Sequence, residues 1–204
     1  MINRQAIKEN AKIQLGQNLF GKLWLMAVLV ILIQSAILSA ASSMLPVASL
    51  ILAGPLSVGV AFIFLGLAHG RNEVKIEEMF TVGFSAQFGR NLLLGLLTSI
   101  FIALWSLLLI VPGIIKAYSY SFASYIANDH PEYTWRQCID ESIKMTNGHK
   151  MELFILDLSF IGWYIVGSLC LGIGSLWVSA WHMASVANYY EAVKGLPQVE
   201  GFAQ

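Results

Sequence analysis

Seven polar side chains inside apolar segments are the residues of this chain that could carry chemistry. They are Lys116, Tyr118, Tyr120, Ser121, Ser124, Asp157 and His182. A polar or ionisable group in an apolar segment is costly to bury, so it marks a candidate site. Hydroxyls donate and accept hydrogen bonds, an ammonium binds anions, and a carboxylate or imidazole can exchange protons. We predict that this set binds a ligand, and we assign no catalytic residue.

Lys116 follows the Pro112-Gly113 pair by three residues. We interpret that pair as a turn on the outer side of a membrane, which places Lys116 about 4–5 Å inside the outer boundary. Its ammonium could reach back to the interface as an anchor, or it could contact an anionic headgroup or solute. The tyrosines and serines that follow could line a ligand path or only form hydrogen bonds between helices. Asp157 enters from the other face, and we predict about 15–20 Å between its level and that of Lys116.

Asp157 and His182 belong to the last two apolar segments. If these segments fold back on each other about residues 172–173, Asp157 reaches the level of Asn188, and we expect it to contact Asn188 or Tyr189. The same counting predicts that Asp157 and His182 lie about 9 Å apart in depth. His182 could be a neutral packing residue or part of a proton relay. An intramembrane enzyme that uses both side chains is a further alternative to the binding and partner-binding functions considered below.

No motif for a metal, a cofactor or a phosphate loop occurs in the sequence. His69, His130 and His149 are scattered along the polar connections, and the acidic turn 129–132 resembles the entry to a helix. We therefore predict no cofactor, no metal site and no enzymatic activity. Cys138 and Cys170 are expected on opposite sides of a bilayer, which excludes a disulfide between them.

The composition points to a membrane protein. Apolar residues form 57% of the 204 residues, charged residues form 12%, and the formal net charge is zero. Soluble domains average about 45–50% apolar and about 25% charged residues. A neutral chain gives no electrostatic basis for binding nucleic acid. The sequence therefore predicts an integral membrane protein.

Six apolar segments can be placed as membrane spans. They are residues 23–41, 47–68, 92–111, 113–127, 153–171 and 174–190. A helix of about 20 residues crosses the hydrocarbon core, and we expect protein to shield the short, polar fourth segment. The turns at 42–46, 112–113 and 171–174 are uncharged, whereas the other connections carry Lys or Arg. This asymmetry predicts that both termini are cytoplasmic. The predicted fold is an all-α polytopic membrane protein, with six transmembrane helices as three hairpins and cytoplasmic amphipathic helices.

The clearest amphipathic helix follows Thr134. Thr134 and Gln137 have the spacing of a capping box, and Trp135, Cys138 and Ile139 recur on one face. Asp140 and Lys144 have the spacing of an ion pair, and we expect residues 147–148 to end the helix. Weaker amphipathic patterns occur at Ile7, Ala11, Leu15 and Leu19, and at Ile76, Phe80, Phe84 and Phe88.

The order of amphipathic helix, span, turn and span recurs along the chain. We predict one membrane domain over residues 1–204, with three hairpin repeats at about 1–70, 71–130 and 131–194. An alternative is that any six-span protein with short outer turns looks periodic.

Two segments carry a resemblance to a known family. Residues 107–121, which include Pro112, Gly113 and Lys116, and residues 153–163, which include Asp157, together resemble a family of bacterial integral membrane proteins of unknown function, DUF975. The resemblance covers residues 3–194. In the final span the family often has a Pro-Tyr pair where this chain has Trp181 and His182. The family is similar to membrane domains attached to some glycerophosphodiester phosphodiesterases, which implies the handling of lipids or headgroups without a catalytic residue to carry over.

The functional expectation is a protein of the bacterial cell membrane that binds or moves a lipid-like or small amphiphilic molecule. The alternative is a non-catalytic structural or partner-binding subunit of the immunity type, which would act through the face around Trp135 and Ile139. Its partners would be the lipid bilayer, a lipid or small amphiphile, a second copy of the chain or another membrane protein.

Overall fold

A computed structural model describes residues 3–16, 18–169 and 172–195, and this part of the chain is helical without strands. Its helices are α1 (Arg4–Gln14), α2 (Lys22–Met44), α3 (Pro46–Ala68), α4 (Ile76–Gly83), α5 (Phe88–Leu108), α6 (Ile110–Tyr120), α7 (Ala123–Asp129), α8 (Trp135–Met145), α9 (Lys150–Leu169) and α10 (Ile173–Lys194). Cys170 and Leu171 lie outside the described residues.

Three short amphipathic helices, α1, α4 and α8, each precede a pair of longer segments. The predicted capping box of α8 is confirmed, because the Thr134 side chain accepts from the Gln137 backbone and the Gln137 side chain accepts in return. The predicted pair of Asp140 with Lys144 is wrong: Lys144 Nζ lies 3.3 Å from Glu141 instead. Whether the recurring order reflects duplication of an ancestral hairpin stays a prediction.

Four helices are long and apolar enough to cross a membrane: α2, α3, α5 and α9. The other two predicted spans differ from the expectation. The fourth is broken at residues 121–122 into α6 and α7, each shorter than a bilayer requires. α10 is 22 residues long, but His182, Asn188 and several serines make it less apolar. Six crossings therefore stay a prediction.

The turns between paired helices are shorter than expected. Leu45 alone separates α2 from α3, and Leu109 alone separates α5 from α6; both have extended backbones. The predicted turn at Pro112-Gly113 is wrong, because both residues lie in the first turn of α6. Proline is tolerated there, since the first amides of a helix have no partner within it. A Cβ on Gly113 would overlap Ser106, so this glycine lets α6 pack closely on α5.

α3 is the central helix of the molecule. A Cβ on Gly54 would overlap the backbone of α5 at Asn91, and a Cβ on Gly59 would overlap the backbone of α4 at Met79. Next to Gly59, Val58 O accepts from Asn128 of α7 at 2.9 Å. These close approaches gather α4, α5 and α7 around one apolar helix.

The helices form a compact end and three exposed hairpin tips. At the compact end, buried side chains such as Phe64, Phe122, Tyr189 and Tyr190 make one continuous core. Two tips lie around residues 45 and 109, and the third is approached by the end of α9 at Leu169. Leu107 and Leu169 are 85% and 79% exposed. Exposed apolar tips are what a bilayer would cover.

Candidate functional site

Asp157, His182 and Tyr118 meet in one hydrogen-bonded cluster. Asp157 Oδ1 lies 2.7 Å from His182 Nε2, and Tyr118 donates its hydroxyl to Asp157 Oδ2 at 2.7 Å. The three residues belong to α9, α10 and α6, so one carboxylate joins three helices. We name these three residues the polar cluster. Its carboxylate, Asp157, lies within α9, one of the four helices that could span a membrane.

The register of α9 on α10 explains why Asp157 meets His182. Tyr189 donates to Glu152 at 2.7 Å, and Tyr164 lies 3.3 Å from Ser179 through their hydroxyls. The centre of this antiparallel hairpin therefore precedes residue 172. The prediction took residues 172–173 as the centre of the hairpin. It therefore paired each residue of α9 with a residue of α10 too close to the C-terminus. The predicted depth difference of about 9 Å between Asp157 and His182 is wrong.

The predicted contacts of Asp157 with Asn188 or Tyr189 are wrong for the same reason. Asn188 instead exchanges hydrogen bonds with Gln14 of α1, at 2.5 and 3.0 Å. Tyr189 belongs to Glu152. Both contacts lie closer to the compact end than the polar cluster does.

α6 brings Tyr118 to α9 just before it ends. The Tyr118 ring meets Phe154 edge to face, with 6.1 Å between centroids. The next carbonyl, that of Ser119, accepts from Ser142 Oγ of α8 at 2.8 Å. α8 therefore holds the end of α6 in place, and Tyr118 reaches the carboxylate of α9 from a fixed backbone.

The polar cluster lies at the boundary between the packed and the exposed parts of α9. Beyond Phe160, residues 161–169 of α9 are exposed apart from Tyr164 and Gly167, which contact Ser179 and Gly174 of α10. On the tip side of α6, the buried residue is Gly113, which faces α5. Towards the tips, α6 and α9 therefore present mostly exposed apolar side chains, and the polar cluster lies at the inner end of this surface. The side chains of Asp157 and His182 remain 36% and 25% exposed.

Lys116 does not join the polar cluster. Its ammonium lies 5.2 Å from the centroid of the Trp105 ring on α5. Tyr118 follows Lys116 by two residues, a rise of about 3 Å, and hydrogen-bonds to Asp157. The predicted separation of about 15–20 Å in depth between Lys116 and Asp157 is therefore wrong, although no ion pair joins them among the described residues.

The remaining predicted site residues make contacts within the protein. Tyr120 is buried, and its ring is tilted against Phe101 at 6.3 Å. Ser121 Oγ donates to the Tyr118 carbonyl at 2.9 Å. Ser124 lies 3.3 Å from Ser57 of α3 through their hydroxyls. These contacts serve helix packing, and a ligand-binding role for the three residues stays a prediction.

Two further carboxylates have the same kind of partners as Asp157. Glu152 accepts from Tyr189 at 2.7 Å and lies 3.4 Å from His149. Asp129 accepts from Tyr190 at 2.6 Å and from Lys194 at 2.7 Å. Both carboxylates lie at the compact end and fix the last turns of α10. Sequence reasoning missed them, because residues 189 and 190 give no periodic signal that names their partners.

A family model matches residues 1–119 and 107–197, which together cover most of the chain. The chain belongs to the DUF975 family. The description of that family is a protein of unknown function. No curated protein and no solved structure matches the chain. The expected relation to membrane domains of glycerophosphodiester phosphodiesterases therefore gains no support.

In this DUF975 protein, the apolar face of α8 packs inside the molecule. Cys138 and Ile139 are buried, and Trp135 packs against the same core. Burial raises the pKa of the Cys138 thiol above its usual value. The face that the partner-binding alternative requires is therefore already covered by neighbouring helices.

The first helix of the DUF975 protein covers the far side of the α9–α10 pair. Trp181 Nε1 donates to the Lys8 carbonyl at 2.9 Å, and the Lys8 ammonium lies 4.4 Å from the Phe160 ring centroid. Burial lowers the pKa of that ammonium, and the nearby charge of Lys12 lowers it further. Phe160 in turn lies edge to face with His182, 5.0 Å between centroids. α1 therefore supports the wall behind the polar cluster.

No group of three or more His, Cys, Asp or Glu side chains that could hold a metal occurs in the part of the chain that the structure describes. In the predicted helix-entry turn, His130 Nδ1 lies 3.0 Å from Glu132.

Proposed function

We propose that this protein is an integral membrane protein that binds or moves a lipid-like or small amphiphilic molecule, in an opening formed by the exposed tip-side parts of α6 and α9. Tyr118, Asp157 and His182 contact the polar part of that molecule, and the exposed apolar side chains of the two helices contact its hydrocarbon part. The observation that carries the proposal is the polar cluster, partly exposed at the inner end of an exposed apolar surface.

The physical reason is the energy of an exposed polar group at membrane depth. A carboxylate and an imidazole in contact with lipid chains are unfavourable by several kcal/mol, so such groups are shielded or bound to a polar partner. Ligand sites combine a mostly apolar surface with a few convergent polar groups. The opening has this composition, and a headgroup would replace the water that the cluster otherwise needs.

The proposed orientation follows the charges of the connections. We place the protein in the cell membrane with both termini in the cytoplasm, because the connections at the compact end carry the lysines and arginines. The hairpin tips then point towards the outer leaflet. A molecule could enter the opening between α6 and α9 sideways from the lipid.

The partner-binding alternative has less support. It requires a free apolar face around Trp135 and Ile139, but Ile139 is buried against neighbouring helices. A second copy of the chain could still contact the exposed tips, as could lipid.

We favour binding over catalysis. The predicted depth difference of about 9 Å spoke against an enzyme in which Asp157 and His182 act together. Their observed contact removes that argument. The described contacts of the cluster nevertheless include no serine or cysteine nucleophile beside His182. A residue that merely accepts and donates protons is also what a binding site for a polar headgroup needs.

The test is native mass spectrometry of the protein purified in a mild detergent. We expect wild type to retain an amphiphile that Asp157→Asn releases and Tyr118→Phe retains less well. Glu152→Gln is the matched control, because it alters a carboxylate on the same helix with the same kinds of partners. Lys116→Ala tests the separate prediction that its ammonium contacts the headgroup. Equal retention by wild type and Asp157→Asn would contradict the proposal, as would ligand-free masses for both.

A further inference from the structure

Taking this binding site as given, we infer that its ligand carries a cationic amine or quaternary ammonium headgroup, and that the headgroup and a proton on His182 compete for the charge of Asp157. This ligand class and its linkage to pH rest on the proposed function, but they can be wrong while that function stands.

The charge of the polar cluster comes from Asp157. Tyr118 from α6 is neutral, and so is Tyr164 of α9, whose ring lies 6.4 Å from that of His182. His182 from α10 is the one basic side chain that pairs with Asp157 among the described residues. When His182 is neutral, the cluster carries one negative charge. When His182 is protonated, the pair is neutral overall.

The lysines near the cluster are engaged elsewhere. Lys8 of α1 donates to Ser159 Oγ at 3.2 Å and lies over the Phe160 ring. Lys12 lies 4.4 Å from the Trp181 ring centroid, and Lys116 lies over Trp105. None of them forms an ion pair with Asp157 within the described ranges. The carboxylate therefore depends on His182 or on a ligand for a neutralising charge.

In an apolar opening, the charge of Asp157 strongly favours the binding of a positive charge. A net charge is destabilised in a medium of low dielectric constant, so the cluster binds a positive charge in preference to staying anionic. A proton on His182 meets the demand, and so does an ammonium beside Asp157. Both together would place two positive charges against one carboxylate. When His182 is protonated, each cation bound therefore releases one proton from the imidazolium. When His182 is neutral, the cation neutralises the anionic cluster and no proton is released.

Aromatic rings around the opening favour an ammonium group. Tyr118 and Tyr164 are partly exposed, and Phe154 is exposed beside Tyr118. The faces of such rings attract cations, most strongly where water is excluded. The Asp157 carboxylate would repel an anionic headgroup. An ammonium group would instead contact that carboxylate and the faces of the aromatic rings.

The pH dependence has a defined sign. Raising the pH removes the proton from His182 and leaves the anionic cluster, so a cation binds more tightly. Where a bound cation displaces the proton of His182, affinity rises by at most tenfold per pH unit, the limit for exchange of one proton. A His182→Gln variant keeps the carboxylate but has no proton to release, so its affinity for a cation should not change with pH.

The experiment is isothermal titration calorimetry of the full-length protein in a non-ionic detergent. Dodecyltrimethylammonium and laurate serve as probes with similar chains and opposite charges, and two buffers with different ionisation enthalpies report proton release. We expect the cation to bind at least tenfold more tightly than laurate at pH 8, and to bind more weakly at pH 5.5, where its binding should release up to one proton. Asp157→Asn should abolish this preference, His182→Gln should abolish the pH dependence, and Glu152→Gln should change neither.

Equal binding of both probes, or cation binding at pH 5.5 without proton release, would overturn the inference. If native mass spectrometry then still finds an amphiphile that depends on Asp157, the proposed function stands with a different headgroup. If neither method finds a ligand that depends on Asp157, both proposals fail.

Discussion

Asp157 Oδ1 lies 2.7 Å from Nε2 of His182, and this contact joins α9 to α10. The second carboxylate oxygen accepts from Tyr118 of α6. One side chain therefore links the last hairpin to the preceding one. The same side chain is partly exposed, so it can hold the helices together and also meet a ligand.

The hydrogen bond from Tyr118 to Asp157 should stabilise the contact between α6 and α9. We expect Tyr118→Phe to lower the free energy of unfolding by about 0.5–1.5 kcal/mol, because the ring stays in place and one hydrogen bond is lost. Thermal unfolding in detergent measures this change. Tyr133→Phe is the control, since the Tyr133 ring stacks on His130 and its hydroxyl makes no hydrogen bond in the described part of the chain. Equal effects of the two variants would show that the Tyr118 hydroxyl contributes nothing.

Gly59 should be intolerant of any side chain. A Cβ there would overlap the carbonyl of Met79, so Gly59→Ala must push α4 away from α3. We expect a loss of about 2–3 kcal/mol, in the range of overpacked cores, seen as a lower midpoint of thermal unfolding. Gly162→Ala is the matched control, because nothing lies within 4 Å of a Cβ at that position of α9. Alanine there should be neutral or stabilise the helix by up to about 1 kcal/mol.

Asp129 should hold the last turn of α10. Asp129→Asn weakens two charge-assisted contacts, from Tyr190 and from Lys194, and we expect about 1.5–3 kcal/mol of destabilisation. Faster amide exchange at residues 189–194 should accompany it. Glu73→Gln provides the comparison, since the pair of Glu73 with Lys75 is mostly exposed and contributes little. Unchanged exchange in Asp129→Asn would refute the role of this carboxylate.

Cys138 should resist thiol reagents in the folded protein. Its side chain is 0% exposed, and burial raises its pKa, so less thiolate is present at neutral pH than for a free cysteine. In a Cys170→Ser background, we expect maleimide to label Cys138 only after denaturation, with a rate that increases as the pH rises. A cysteine introduced at the exposed Gln137 should react at once. Rapid labelling of native Cys138 would mean that α8 is not packed as described.

Much of the helical framework could be predicted because it follows local rules. Apolar runs of bilayer length predicted α2, α3, α5 and α9 to within a few residues, and the Thr134 capping box predicted the start of α8. The break between α6 and α7 was missed because it depends on contacts across the molecule, such as that of Phe122 N with Ser142 Oγ at 3.2 Å. No local signal at residues 121–122 specifies that contact.

The residues of the site could be predicted from the sequence, but the contacts between them could not. Composition identified Tyr118, Asp157 and His182 as polar groups in apolar segments, but their contact depends on the register of α9 against α10. Two residues of error in the centre of that hairpin change depth differences by about 6 Å. An error of this size was enough to predict that Asp157 and His182 do not touch.

The most direct test of amphiphile binding at the polar cluster is photo-crosslinking in proteoliposomes. An amphiphile with a photoreactive group in its chain is added to wild type and to Asp157→Asn, and the labelled peptides are identified. We predict labels concentrated on α6 and on residues 158–165 of α9 in wild type, and their loss in the variant. Labels spread evenly over all exposed helices, and equal in both proteins, would contradict a binding site at Asp157 and His182.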